Sequence, residues 1–282
     1  MSYTPVIPLT GMAGWQFLQR TADTQKATFN QDVQVRRETE YFLEKIGEVT
    51  SVDQLMGDRT LLKVALGAFG LEDDLSKGAW VRKILEEGTE ASDAFAMRLT
   101  DRRYRDFSGT FGFGNILGAR TGDEGFGDLI VQKYKDHMFE VAVGEVDNSM
   151  RLALNYANSL QSLVDRGLGE NAAWYTLMGD QPLRTVMEAA LGLPDKLSAL
   201  DVDKQLVFFK DKAASVFGSS ALGDLLSEDN VEKAIRIYMA KVQAEAGPSA
   251  STPGYAALSL LQGGTASALS SAGIANLLLS RA

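Results

Sequence analysis

With 282 residues, 45% of them apolar, the chain is long enough for one large domain or two ordinary ones and can bury a real core. A formal net charge of -9 and a pI near 4.8 argue against a nucleic-acid partner, because a phosphate backbone is bound by a surplus of Lys and Arg. There is no cysteine, which removes disulfides, thiolate zinc sites and cysteine nucleophiles together.

The most basic run, Arg98 to Arg105, is interleaved with Asp101 and reads as a solvated helix face. Met1 to Thr10 carries no basic residue and no apolar run before Trp15, so no cleaved signal peptide is expected and synthesis in the cytoplasm is. No segment reaches the roughly 20 apolar residues that a membrane span requires.

In chain order, Pro5 and Pro8 deny a helix to the first residues, and residues 1–13 read as an extended arm. From Gly14 to Gly47, Trp15, Leu18, Ala22, Phe29, Val33, Phe42 and Ile46 recur at helical intervals, with a thin polar stretch from Thr21 to Asp32. Ser51 and Gln54 form a capping box. Met56-Gly57-Asp58 then leads into an apolar helical face of Leu61, Leu62, Val64, Ala65, Ala68 and Phe69, which Gly70 stops.

The same words return 122 residues later as Met178-Gly179-Asp180, with Leu183, Val186, Ala190, Gly192 and Leu193 in the corresponding places. Asp58 and Asp180 fit as N-caps, and Pro182 stands where a first helical turn tolerates it. Short helices follow each copy. They are expected from Ser76 to Glu87, from Asp93 to about Thr100 with Ser92 as cap, around Tyr104 to Phe111, from Leu200 to Phe217, and after Ser227.

Gly109 to Gly127 is rich in glycine but lacks the preceding strand and the Lys or third spaced Gly of a phosphate loop, so it reads as a link between two lobes. The stretch from Asp128 to Asp165 carries Phe139, Val143, Val146, Met150, Ala153, Ala157, Leu160 and Val164 at alternating steps of four and three. That spacing predicts one long helix with a continuous seam looking for partners. Beyond Gly247-Pro248 the tail is Ser, Ala, Gly, Thr and Leu with Arg281 as its single charge, and Leu258, Leu261, Leu277 and Leu278 lie in its two apolar groups.

The expected fold is therefore all-α: two helical lobes from an internal duplication, joined by the glycine-rich link and a long central helix. The expected boundaries are 1–13 for the arm, 14–108 for the first lobe, 109–127 for the link, 128–246 for the long helix with the second lobe, and 247–282 for the tail.

Chemistry has few candidates. The single histidine, His137, sits beside Asp136 inside the predicted long helix, and no Gly-x-Ser-x-Gly elbow occurs, so a Ser-His-Asp arrangement is not expected. Glu72-Asp73-Asp74 and Asp201-Val202-Asp203 lack the twelve-residue calcium-loop pattern and read as solvated turns and helix starts. No cofactor, metal or catalytic residue is assigned, and an enzyme working through an Asp/Glu pair is the minority reading.

Arg37-Glu38-Thr39-Glu40-Tyr41-Phe42 and the run from Met56-Gly57-Asp58-Arg59-Thr60 through Leu71 resemble the signature of the domain of unknown function 1217 family. Phe111-Gly112-Phe113-Gly114-Asn115 and Phe139-Glu140-Val141-Ala142-Val143-Gly144 are similar to that family's later blocks. The resemblance extends from about Gly14 to Gln243 and carries no defined activity. It implies an alphaproteobacterial, flagellar setting, and with it a non-enzymatic structural or assembly protein whose partners are flagellar proteins or further copies of itself. An alternative is a cytoplasmic export chaperone or regulator of flagellar subunits. The expected contact residues are Phe139, Val143, Val146, Met150, Ala153, Ala157, Leu160 and Val164 on the seam, with Leu258, Leu261, Leu277 and Leu278 in the tail. Export to the flagellum without a cleaved signal is the route this setting implies.

Overall fold

Six of the α-helices among the described residues begin where a side chain accepts the N–H groups that a first turn leaves unpaired. Asp32, Ser51, Asp58, Asp147, Asp180 and Asp201 each do so. The computed structural model describes residues 3–246, and these form an all-α fold with no strand among them. In order the helices are α1 Gly11–Asn30, α2 Val33–Lys45, α3 Val52–Gly57, α4 Arg59–Gly67, α5 Gly78–Glu87, α6 Phe95–Arg98 and α7 Arg103–Phe111. Then follow α8 Phe126–Val146, α9 Asn148–Val164, α10 Glu170–Gly179, α11 Gln181–Ala190, α12 Val202–Phe217 and α13 Glu228–Ala246. The tail from 247 lies outside the described residues.

The seam does not belong to one long helix. Asp147 takes an extended conformation and its carboxylate accepts the Ser149 N–H, which ends α8 and starts α9. The chain then folds back, so that Asn155 donates to Glu140 across the hairpin at 3.1 Å. A heptad spacing is satisfied equally by two helices that face each other, and an Asp that prefers a local backbone hydrogen bond chooses the break.

The predicted helix from Gly14 to Gly47 likewise breaks at Asp32, which accepts N–H groups from Gln34, Val35 and Tyr3. Ser92 caps nothing, and α6 is one turn long. The arm is extended over residues 3–10 and not to 13, because α1 begins at Gly11, and it is docked: the buried Gln25 side chain accepts the Val6 N–H and donates to the Val6 carbonyl.

Two apolar cores result. One gathers Phe42 and Ile46 with residues of α3, α4, α5, α7 and the first half of α8. The other gathers α1, the second half of α8, and α9 to α13. Helix α8 serves both, Phe126, Ile130, Val131 and Tyr134 in the first and Phe139 and Val143 in the second, with Met138 against each. The five-residue step from Tyr134 to Phe139 turns its apolar stripe by about 140° around the axis, which lets one helix face two cores.

The cores do not follow the lobe boundaries expected at 14 and 108. α1 belongs to the second core, where Phe29 meets Phe139 with ring centroids 5.8 Å apart. The residues of 109–127 fold onto the first core instead of crossing between lobes, with Phe111 and Phe126 buried in it.

The repeated words have the same local form. Asp58 and Asp180 cap α4 and α11 from nearly equal backbone angles. Gly70 and Gly192 both turn left-handed after those helices, and the Leu71 and Leu193 N–H groups close back on the carbonyls of Leu66 and Glu188. The likeness is local: a 3-10 turn follows each copy, Glu72–Ser76 and Asp195–Ala199, but the helices beyond them, α5 and α12, differ in length.

Candidate interaction surface

The predicted seam is core. Phe139, Val143, Met150, Ala153 and Leu160 are buried among the chain's own helices, Ala157 and Val164 are partly covered, and only Val146 is exposed. Five of these side chains are therefore closed to a partner, because folding α8 against α9 makes the chain its own partner. The tail residues Leu258, Leu261, Leu277 and Leu278 lie outside the described residues.

What the fold exposes is the tip of the glycine-rich segment. Ile116 and Leu117 are 91% and 94% exposed, an unusual fate for two adjacent bulky apolar residues. The backbone beneath them is fixed. Gly112 ends α7 left-handed, and the Arg120 N–H returns to the Phe111 carbonyl at 2.9 Å. Gly114 passes so close to the turn after α5 that a Cβ there would stand 2.4 Å from both the Glu86 oxygen and the Gly88 nitrogen.

Side chains complete the brace. The Asn115 amide oxygen accepts the Thr89 N–H at 2.9 Å, and Glu90 accepts the Ile116 N–H at 3.0 Å. The buried Thr121 hydroxyl donates to the Val49 carbonyl. Below lies Phe111, in ring contact with Phe107, Phe113 and Phe126. Sequence reasoning passed over Ile116 and Leu117. The available signal was two adjacent branched apolar residues in a glycine-rich stretch whose other large apolar residues are all phenylalanine.

A second surface feature is an open groove of about 800 Å³ lined by Asp32, Val33, Gln34, Arg37, Glu38, Tyr41 and Thr60. It joins two segments that sequence motifs had singled out separately, since Tyr41 donates to Asp58 at 2.6 Å. Its carboxylate at Glu38 is fully engaged by Lys63, Tyr134 and Gln34. Burial alone would raise Glu38, but these donors outweigh it and hold the carboxyl below its ordinary range, the opposite of what a general base at neutral pH requires.

The charged groups nearest a catalytic pattern lie between the two cores. His137 meets Glu72 at 3.2 Å, and Glu140 stands one turn along α8 with Asn155 as its donor. Burial pushes Glu140 up, whereas at Glu72 the contacts with His137 and its own amide outweigh burial and bring it down. Of the acidic run 72–74, expected in solvent, Asp73 is exposed and Glu72 half-buried, but Asp74 is buried and accepts from Tyr104 and Lys77. Asp201 is a helix start as expected, and Asp203 accepts from Tyr175.

Among the described residues no three His, Asp or Glu side chains converge as a metal site, and no helix is long and apolar enough to cross a membrane.

The sequence profile of a family described as "Protein of unknown function (DUF1217)" matches residues 68–230. The chain belongs to that family. A crystal structure of a structural-genomics protein from Agrobacterium tumefaciens is similar at 26% identity and a TM-score of 0.68, over 87% of this chain and 100% of that one. No curated protein matches the chain. The matched span includes the tip, its brace at 86–90, and the α8–α9 hairpin, so the family region contains both the exposed knob and the helix that joins the cores.

Proposed function

We propose that this chain is a non-enzymatic structural or assembly protein of the bacterial flagellum, acting through surfaces held by packed helices. The observation that carries the interaction reading is the braced tip. Exposing Ile116 and Leu117 to water is unfavourable for the isolated chain, and the clamped backbone beneath them keeps them from turning inward. A preformed apolar knob loses little conformational freedom when it is covered, which is what a docking element needs. The flagellar part of the proposal rests on the setting implied by the family resemblance.

The test is fractionation of cells carrying the wild-type chain or the Ile116→Asp/Leu117→Asp variant. The wild type is expected with hook and basal-body material, and the variant, equally folded, is expected to be lost from it. Wild-type protein confined to the cytosol of motile cells would remove the flagellar structural role.

The groove beside α2 favours a second reading, an export chaperone that holds a helix of a flagellar subunit. That reading predicts a cytosolic one-to-one complex that is lost on Val33→Glu/Tyr41→Glu substitution and insensitive to the tip.

A further inference from the structure

Helix α12 buries one face and leaves apolar side chains on the other. Gln205, Leu206, Phe209 and Ala213 are buried, while Val207 and Phe208 are 57% and 46% exposed. At roughly 100° per residue, the line midway between Val207 and Phe208 points away from the buried face, and Lys204 and Asp211 lie within about 10° of that line, about one turn to either side. Both charged residues are exposed, and among the described residues neither forms an ion pair. Two neighbouring charges are already engaged: Asp203 accepts from Tyr175, and Lys210 pairs with Glu170 at 2.9 Å.

We infer that α12 packs antiparallel against α12 of a second copy of the chain, about a two-fold axis level with the midpoint between Val207 and Phe208. Lys204 and Asp211 are equidistant from that midpoint, each about 5 Å along the helix. Reversing the helix therefore brings Lys204 level with Asp211 of the second copy, and Asp211 level with its Lys204. Val207 and Phe208 meet their own counterparts between these two ion pairs. A two-fold contact requires this property, because one patch must carry a group and its complement placed symmetrically. A parallel pairing would instead set Lys204 against Lys204 and Asp211 against Asp211, so the charges select the antiparallel direction.

Two valines, two phenylalanines and two ion pairs cover far less than the roughly 1,600 Å² of a standard interface, which places the contact among the weak, transient ones. It gains where copies are already held side by side. The inference rests on neither the 116–117 tip nor the flagellar setting.

The experiment is sedimentation velocity on the full chain at concentrations up to ~1 mM, with charge reversal on α12. The wild type is expected to associate as concentration rises. Lys204→Asp and Asp211→Lys each set like charges together twice, and each is expected to weaken association by roughly tenfold. An equimolar mixture of the two variants, and the doubly reversed Lys204→Asp/Asp211→Lys chain, restore opposite charges and are expected to recover it. Because the chain has no cysteine, single thiols give a second readout. Under mild oxidation with diamide, Val207→Cys is expected to cross-link across the axis, whereas Lys212→Cys, whose copies stand about 13 Å apart along the helix, is not. The Ile116→Asp/Leu117→Asp variant is expected to associate like the wild type. A wild type that is monomeric at the highest concentration would overturn the inference, as would a mixture no tighter than its single variants, equal cross-linking at the two thiols, or association lost with the tip. Dimerisation that persists in a protein absent from basal-body material would sustain the inference and remove the flagellar reading alone.

Discussion

Three glycines in one loop segment test whether 109–127 is a packed brace or a pliant link. At Gly114 an added Cβ would lie 2.4 Å from two backbone atoms, where ordinary contact begins at 3.4 Å, so the loop and the 86–88 turn must part by about an ångström. Backbone cannot rotate aside as a side chain can. Misfit of this kind costs about 1–3 kcal/mol. Parting the strands of the brace also weakens the Thr89–Asn115 and Ile116–Glu90 hydrogen bonds, at about 0.5–1.5 kcal/mol each. Gly114→Ala is therefore expected to lose about 2–6 kcal/mol.

Gly118 has open space around it but a φ of 76°, so Gly118→Ala is expected to lose about 1–2 kcal/mol through the left-handed backbone alone. Gly122 has neither constraint, its nearest neighbour being 3.7 Å away, and Gly122→Ala is expected within about 0.5 kcal/mol of the wild type. Urea denaturation of the three variants, compared at a common m value, gives the ranking. The brace is refuted if Gly114→Ala is no worse than Gly118→Ala, and a pliant link would leave all three near the wild type.

Four further outcomes are expected. Glu140, raised by burial, contributes stability that is complete below pH 4.5 and is lost as pH rises through its folded-state value, so Glu140→Gln should flatten the stability profile above pH 4.5 and be at least as stable at pH 7. Glu72 has the opposite sign, because its folded-state value is lowered. Glu72→Gln should lose stability at neutral pH and converge on the wild type as the solution is acidified below 4.5, which thermal melts across pH will show. Asp58→Ala should cost more than Asp180→Ala, each within about 0.5–2 kcal/mol, since Asp58 accepts two amides and the Tyr41 hydroxyl while Asp180 accepts one amide; equal losses in denaturation would contradict this. Gln25→Ala should release the arm, read as faster amide exchange at Val6 with α1 still protected; unchanged exchange would show that other contacts hold the arm.

The helical character of the chain and most helix starts were legible without a structure, because capping is a local matter. Ser51, Asp58 and Asp180 act on N–H groups two or three residues away, and their spacing announces it. Gly70 and Gly192 were legible as stops for the same reason. The repeated words also proved alike in local form, because the same residues at the same spacing meet the same backbone demands.

Partnership between distant segments was a tertiary decision. A seam of Phe139, Val143, Met150, Ala153 and Leu160 is compatible with a partner protein or with a fold-back, and one extended residue at Asp147 selects the fold-back. The assignment of α1 to the second core depends on the turn at Asp32 and on which apolar face lies free to receive Phe29. Exposure of Ile116 and Leu117 is likewise invisible in one dimension: hydrophobicity predicts that such residues are buried, and only the geometry of the Gly114 crossing and the hydrogen bonds around it holds them out. The sequence alone thus determined those helix ends that carry a cap or a terminal glycine read from a few residues, as at Ser51, Asp58, Asp180, Gly70 and Gly192, while the breaks at Asp32 and Asp147 showed only in the fold. Which faces those helices bury, and which apolar residues are left for a partner, was decided by packing across the whole chain, where burial energy has no sequence range.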